Sequence, residues 1–211
     1  MIIATNNKGK LEEIKKILKE YSLYSLKEKN IQIDVEEDQD TFLGNAKKKA
    51  FEIYNLTKEA TIADDSGLCI KALDGFPGVM THRFLGNEAT DEERNEYLIN
   101  EVNKCNSREA QVVCELVYYD DSEYIVGEGI LDGSISTSRR RNNGFGFDEI
   151  FELPNGLTLA EITPLEKNEI SARALAAKNL KKNLMLSLIL NKVLILTFII
   201  IDILVAIFIK M

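Results

Sequence analysis

The chain has 211 residues, 45% hydrophobic and 28% charged, with 26 basic against 34 acidic side chains and a formal net charge of -8. That size and composition suit one substantial folded domain. The negative balance argues against a general nucleic-acid binder, which needs a basic face to replace counterions, but leaves room for a small polyanion carried with Mg2+.

Cys69, Cys105 and Cys114 are odd in number, show no Cys-x-x-Cys spacing and have one histidine, His82, to join them. Neither a disulfide framework nor a zinc site is expected. Met1-Ile2-Ile3-Ala4 is short and lacks a basic lead, so residues 2–5 read as a first strand and not a secretory leader; the expected location is cytoplasmic. After Asn6-Asn7, Leu11, Ile14, Ile17 and Leu18 recur at helical spacing. Residues 21–40 alternate weakly through Ile31, Ile33 and Val35 and end in Glu36-Glu37-Asp38. Residues 41–54 read as a second helix with Phe42, Ala46, Ala50, Phe51 and Tyr54 as its apolar stripe and Asp40 or Thr41 as its cap. It leads into a strand over 61–63, where Asp64-Asp65-Ser66-Gly67 reads as a glycine-bearing turn.

Asp74-Gly75-Phe76-Pro77-Gly78 is a turn cluster, and Thr90-Asp91-Glu92-Glu93 opens a third helix to about Val102, its first-turn acids suiting the helix dipole. Residues 112–119 and 124–131 are β-rich, flank Asp120-Asp121-Ser122 and read as a hairpin. A loop through Gly133, Arg139-Arg140-Arg141 and Asn142-Asn143-Gly144 precedes 145–151, and a last helix starts near Ser171.

Four stretches carry chemistry, and each has a plain structural reading beside the functional one. Thr5-Asn6-Asn7-Lys8-Gly9-Lys10 turns from strand into helix, where backbone N–H groups and two lysines form a phosphate seat or simply cap a surface helix. The adjacent acids Asp64-Asp65 repel each other; they suit a bound cation or a solvated turn. Glu36 and Glu37 offer further carboxylates for Mg2+, which takes one or two plus substrate phosphate oxygens. Gly144-Phe145-Gly146-Phe147-Asp148 sets aromatic rings among glycines, as a base-stacking platform or a bulge with core phenylalanines, and Lys167 and Arg173 flank the start of the last helix behind Ser171.

In this order the segments resemble the inosine triphosphate pyrophosphatases, which hydrolyse non-canonical purine nucleoside triphosphates. The resemblance spans residues 2–180 and rests on Thr5-x-Asn7-x-x-Lys10 with Glu13, Glu37-x-x-x-Thr41-Phe42-x-x-Asn45-Ala46-x-x-Lys49-Ala50, Ala63-Asp64-Asp65-Ser66-Gly67-Leu68, Pro77-Gly78 with Arg83, Gly144-Phe145-Gly146-Phe147-Asp148 through Phe151, and Glu166-Lys167-Asn168-x-Ile170-Ser171-x-Arg173. It implies hydrolysis of ITP, dITP and XTP to monophosphate and pyrophosphate with Mg2+, on an elongated mixed α/β fold with two lobes around a nucleotide cleft, as a homodimer. Carried over by position, Thr5, Asn6, Asn7, Lys8, Gly9 and Lys10 contact the phosphates, Glu36 or Glu37 and Asp65 hold the metal, and Asp65 is the base. Ser66, Phe145, Gly146, Phe147, Asp148, Lys167, Ala172 and Arg173 hold the nucleotide. Hypoxanthine and xanthine offer an N1–H donor and an O6 acceptor to Asp148 and to Lys167 or Arg173, whereas adenine inverts that edge. The alternatives are a pyrophosphatase of broader nucleotide preference and a tail-anchored nucleotide-binding protein without catalysis.

The chain departs from that family where Ser-His-Arg reads Ser171-Ala172-Arg173, which removes a base-contacting histidine and is expected to weaken purine selectivity. His82 lies on another segment, at a place where the family has a small residue, and reads as a partly exposed loop histidine without a catalytic role. Arg139-Arg140-Arg141 stands where the family has Pro-Arg-Gly, so a looser loop is expected, and Glu149 replaces a proline. Residues 183–211 form an atypical apolar extension beyond a pyrophosphatase domain at 1–182. About 17 apolar residues is the lower limit for spanning a bilayer, and about +3 kcal/mol for Asp202 does not outweigh the Val, Leu, Ile and Phe around it. Lys178, Lys181, Lys182 and Lys192 lie on its N-terminal side, as an anchor entering from the cytoplasm requires; a buried or dimer-forming helix is the other reading.

Overall fold

The computed structural model describes residues 1–86, 88–140 and 144–210, the last eight as backbone alone. Arg141, Asn142 and Asn143 of the expected loop lie outside them. Six strands form one mixed sheet in the order β2-β1-β3-β4-β5-β6: β1 Ile2–Ile3, β2 Tyr24–Ser25, β3 Thr61–Ile70, β4 Glu109–Tyr119, β5 Tyr124–Ile135 and β6 Phe151–Glu152. β1 runs parallel to both of its neighbours, and β3 to β6 are antiparallel. Helices α1 Lys8–Ile17, α2 Phe42–Thr57, α3 Asp91–Val102, α4 Pro164–Ile170 and α5 Ala172–Lys210 flank it.

Successive strand residues point to opposite faces, and this divides the core in two. Ile2 and Ala63 belong to the cluster under α2, whereas Ile3, Ile62 and Leu68 belong to the larger cluster under α1, α3 and α5. On that larger side α5 lies close against β5, since a side chain at Gly127 or Gly129 would overlap the backbone of Ala176, Leu180 or Ala172. The close approach buries Ala172, Ala176, Ala177 and Leu180 and fixes the start of α5 over the sheet.

Three local expectations are corrected. β3 does not stop at residue 63: it pairs without interruption from Thr61↔Tyr119 to Ile70↔Ala110, so Asp64-Asp65-Ser66-Gly67 is mid-strand and not a turn. Gly67 serves there as a site of close passage, because a Cβ would meet the Gly78 carbonyl and Thr81. The buried stripe of α2 is Ala46, Ala50 and Ile53, while Phe51 is exposed against the Tyr119 ring. Lys167 lies within a separate short helix, α4, started by a capping box between Thr163 and Glu166. Residues 31–35 join no strand and pack partly buried under α2.

On the α2 face Glu115 stands opposite Glu128 in the β4–β5 register, with its Oε2 lacking a hydrogen bond among the described residues. Burial and the Glu128 charge push its carboxyl up to about 7. The folded chain therefore holds a proton there that the unfolded chain releases near 4.5, and stability falls as pH rises between the two values. Glu115→Gln removes that loss. Allowing for solvent screening, we expect a gain of about 1 kcal/mol, or roughly 2–4 °C in Tm, at pH 8 and none at pH 4.5, measured by paired thermal melts.

Candidate active site

Strand β1 feeds α1 through Thr5, Asn6 and Asn7. Asn7 caps the helix by accepting from Lys10 N at 3.1 Å, and the turn that it closes stands at the edge of a cleft. The cleft has a volume of about 510 Å³ and is bordered by Thr5, Asn6, Asn7, Lys10, Glu36, Glu37, Lys49, His82 and Arg83. A second cavity of about 30 Å³ is bordered by Ser66, Phe145, Gly146, Phe147, Asp148, Lys167, Ala172 and Arg173, and shares Lys10 and His82 with the first. Of the expected residues, Lys8, Gly9 and Asp65 border neither: Asp65 is 2% exposed, bonded to Asn45 of α2, and Gly9 lies beneath Phe145, where a Cβ would strike the ring.

Alternation along β3 separates the paired acids. Asp64 faces α1 and α5, where its Oδ2 meets Lys10 Nζ at 3.1 Å and Arg173 Nη2 at 3.3 Å. Burial raises its carboxyl, but Lys10, Arg173 and Lys49 overcome that and hold it well below the usual range, a permanent anion. Asp65 faces α2, accepting from Asn45 Nδ2 at 2.9 Å and from Ser66 N at 2.9 Å. Burial pushes this carboxyl up; Lys49 draws it down and Glu37 adds to the rise, and the net shift is upward.

Glu13 extends the charge pattern. Its Oε2 accepts from Arg173 Nη1 at 2.6 Å and its Oε1 lies 3.0 Å from Lys167 Nζ, which donates to Asp148 Oδ2 at 2.6 Å. Lys10, Asp64, Arg173, Glu13, Lys167 and Asp148 thus form one buried chain of alternating sign linking β3, α1, α4 and α5. Lys167 also sits 4.4 Å over the Phe145 ring, and Asp148 accepts from Phe145 N at 2.8 Å. Burial, opposed by Lys167, leaves the Asp148 carboxyl raised. Across the cleft Lys49 Nζ donates to Glu37 Oε1 at 2.7 Å, and Arg83 donates to the Glu37 carbonyl.

Glu13, Asn45 and Lys49 complete the site although none was assigned a role from sequence. Asn45 and Lys49 are polar residues at i and i+4 beside the stripe of Ala46, Ala50 and Ile53, and that interruption was the available signal. The expected looseness ahead of Phe145 is not met at Arg139 and Arg140: Arg139 Nε donates to Glu149 Oε2 at 2.9 Å, and Arg140 N to the Glu149 carbonyl at 3.0 Å. The two departures from the family, at 139 and 149, therefore meet as an ion pair.

The donors facing the cleft suit a hard divalent cation. Glu37 and exposed Glu36 border the cleft, and buried Asp65, whose charge cost Glu37 adds to, carries one hydrogen bond on each oxygen among the described residues. No group of three carboxylate, imidazole or thiol ligands occurs among the described residues, so water and phosphate oxygens would complete such a shell.

Comparisons with known proteins agree with this arrangement. The model of the Ham1 family matches residues 1–183, ending where α5 leaves the sheet. The chain is 44% identical over 195 residues to the dITP/XTP pyrophosphatase of Clostridium perfringens, covering 87% of this chain and 96% of that protein. It is 38% identical over 191 residues to the dITP/XTP pyrophosphatase of Clostridium tetani, covering 87% and 95%. Among solved structures, a HAM1 protein from Coxiella burnetii superposes with a TM-score of 0.80 at 34% identity, covering 87% of this chain and 97% of that one. The Staphylococcus aureus Ham1 protein gives 0.79 at 35% identity, with the same coverage. With the capped phosphate-seat turn, the split aspartate pair and the sheet order on one side and these matches on the other, the chain belongs to the Ham1 family.

Proposed function

We propose that the chain hydrolyses non-canonical purine nucleoside triphosphates, ITP, dITP and XTP, to the monophosphate and pyrophosphate with Mg2+. The observation that carries this reading is a cleft lined by the Thr5-Asn6-Asn7 turn, the cations Lys10 and Lys49 and the acids Glu36 and Glu37, with Asp65 buried against Asn45 of the same helix that carries Lys49. Lys10, Lys49 and the Thr5-Asn6-Asn7 turn take the triphosphate. Asp65 and Glu37, with Glu36 at the rim, hold the Mg2+, which when bound neutralises phosphate charge and lowers the barrier to water attack. Asp65 accepts the proton of the attacking water, and the α–β anhydride bond breaks with pyrophosphate leaving toward the lysines. Asp64 does not move protons; it holds Lys10 and Arg173. The small cavity, about 30 Å³, encloses a purine only when its walls part; the base then lies beside Phe145 and places N1–H toward Asp148 and O6 toward Lys167. Arg173 is committed to Glu13, Asp64 and Ser66 and acts by positioning them.

Incubation with ITP, XTP, GTP, ATP and dTTP and Mg2+, followed by assay of monophosphate and pyrophosphate, tests the reading. IMP and pyrophosphate in equal amounts are expected; orthophosphate as the first product, or equal use of ATP, overturns it.

The catalytic domain is residues 1–182, proposed to work as a cytoplasmic homodimer, which light scattering tests. Residues 183–211 are proposed as its bilayer anchor. Leu184 is the last buried side chain of α5 among the described residues, and beyond it Leu188, Leu190, Val193, Ile195 and Phe198 are each more than half exposed. Some 25 helical residues from 185 to 209 reach about 37 Å, longer than a bilayer's hydrocarbon core of about 30 Å. Such a surface is costly in water on every side of the helix. The full chain is expected in the membrane fraction after a carbonate wash, and a chain ending at residue 184 in the soluble fraction with ITP hydrolysis retained. Recovery of the full chain as a soluble protein removes the anchor.

A further inference from the structure

The two cavities meet at His82, which borders both. The other polar side chains around the small cavity are bonded within the protein: Lys10 to Asp64, Ser66 to Arg173, Asp148 to Lys167, and Ser171 Oγ to Ala174 N. His82 has no hydrogen bond among the described residues, and it is exposed. Its backbone is nevertheless fixed on both sides. Buried Thr81 accepts from Leu68 N of β3 at 2.9 Å and donates to the Gly78 carbonyl at 2.6 Å, and Arg83 donates to the carbonyls of Glu37 and Val79. An imidazole with both nitrogens uncommitted is thus held at the seam of the cleft. Ala172 borders the same small cavity and offers it only a methyl.

We infer that His82 is a specificity-determining residue that binds the nucleotide where the base cavity opens into the triphosphate cleft, supplying the hydrogen-bonding ring that Ala172 cannot. The inference rests on the pyrophosphatase reading above. Protein packed on the cavity side of the ring, with Lys10 nearby, shifts it downward against the pull of Asp91, Glu37 and Asp64, and an imidazole open to solvent on its other side is already mostly uncharged at neutral pH. A neutral imidazole donates from one nitrogen and accepts at the other, and it selects by hydrogen-bond pattern rather than by charge. An oxo-purine is the ligand class that fits, because its donor and acceptor edge is already matched by Asp148 and Lys167 in the same cavity.

In the full-length enzyme, His82→Ala is expected to raise KM for ITP and XTP about tenfold while kcat changes less than about twofold, and to leave KM for ATP nearly unaltered. Moving the ring across the cavity, in His82→Ala with Ala172→His, is expected to return KM for ITP to within about threefold of the parent, a rescue that a purely structural role does not give. The parent enzyme is assayed alongside. If it does not turn over ITP, the pyrophosphatase reading fails. If it does, and His82→Ala keeps the parent KM or loses the same factor on ITP and ATP, the role of His82 is overturned alone.

Discussion

Asp65→Asn lowers kcat for ITP by about 10²–10⁴ while leaving nucleotide affinity within a few-fold, the usual span for loss of a general base. The substitution keeps the size of the side chain and its oxygen for Ser66 N; the bond from Asn45 Nδ2 is lost, because Asn45 Oδ1 is held by Gln39 N, but the backbone pairing of β3 is untouched. What disappears is the proton acceptor and one carboxylate of the proposed metal pair. The matching change at Asp64 behaves differently. Asp64 is buried between Lys10 and Arg173, and Asp64→Asn is felt first as lost stability and as a raised KM through a displaced Lys10. Single-turnover assays of both variants, with binding followed by calorimetry, separate the two roles. An Asp65→Asn enzyme with parent kcat removes Asp65 from the chemistry.

Arg173→Ala destabilises the catalytic domain by about 3–5 kcal/mol, the cost of leaving buried charges without their partner. Arg173 is 8% exposed and serves Glu13, Asp64 and Ser66 at once, so its loss sets two buried carboxylates facing a gap, with Lys10 and Lys167 in contact and Lys49 farther off to balance them. Burial works against the guanidinium charge, but Asp64 and Glu13 more than compensate and keep it charged. Arg173→Lys keeps the charge but not the fork that reaches three acceptors, and an intermediate loss is expected. Urea denaturation of the three proteins gives the comparison; a loss below about 1 kcal/mol for Arg173→Ala shows that the charges find other partners or solvent.

The local elements were legible because their causes are local. Asn7, Thr41 and Thr90 cap α1, α2 and α3 as their side chains and positions predict, each accepting from an N–H three residues on. The β4–β5 hairpin follows from β-branched and aromatic runs about a polar turn, although both strands run longer than the pattern suggested. Asp64-Asp65-Ser66-Gly67 failed as a turn for a tertiary reason. Small and acidic residues look like a loop until a partner strand satisfies every backbone group and buried cations satisfy the acids. Likewise Phe51 belongs to the apolar pattern of α2 by type, yet the sheet beneath that helix admits Ala50 and Ile53 and leaves Phe51 outside.

The sequence by itself determined the residue types of the site, the phosphate-seat turn, the family resemblance and the apolar extension of α5. Only the tertiary structure decided which charge meets which. Arg173 lies 160 residues from Glu13 and 109 from Asp64, separations at which periodicity and capping carry no information. It is the seating of α5 on Gly127 and Gly129 of β5 that brings them together. The same packing places Ala172 and His82, 90 positions apart by number, on one cavity. Strand alternation then gives the adjacent aspartates opposite faces: Asp64 meets two buried cations and stays charged, while Asp65 meets an amide, a backbone N–H and a neighbouring carboxylate, and its proton affinity rises.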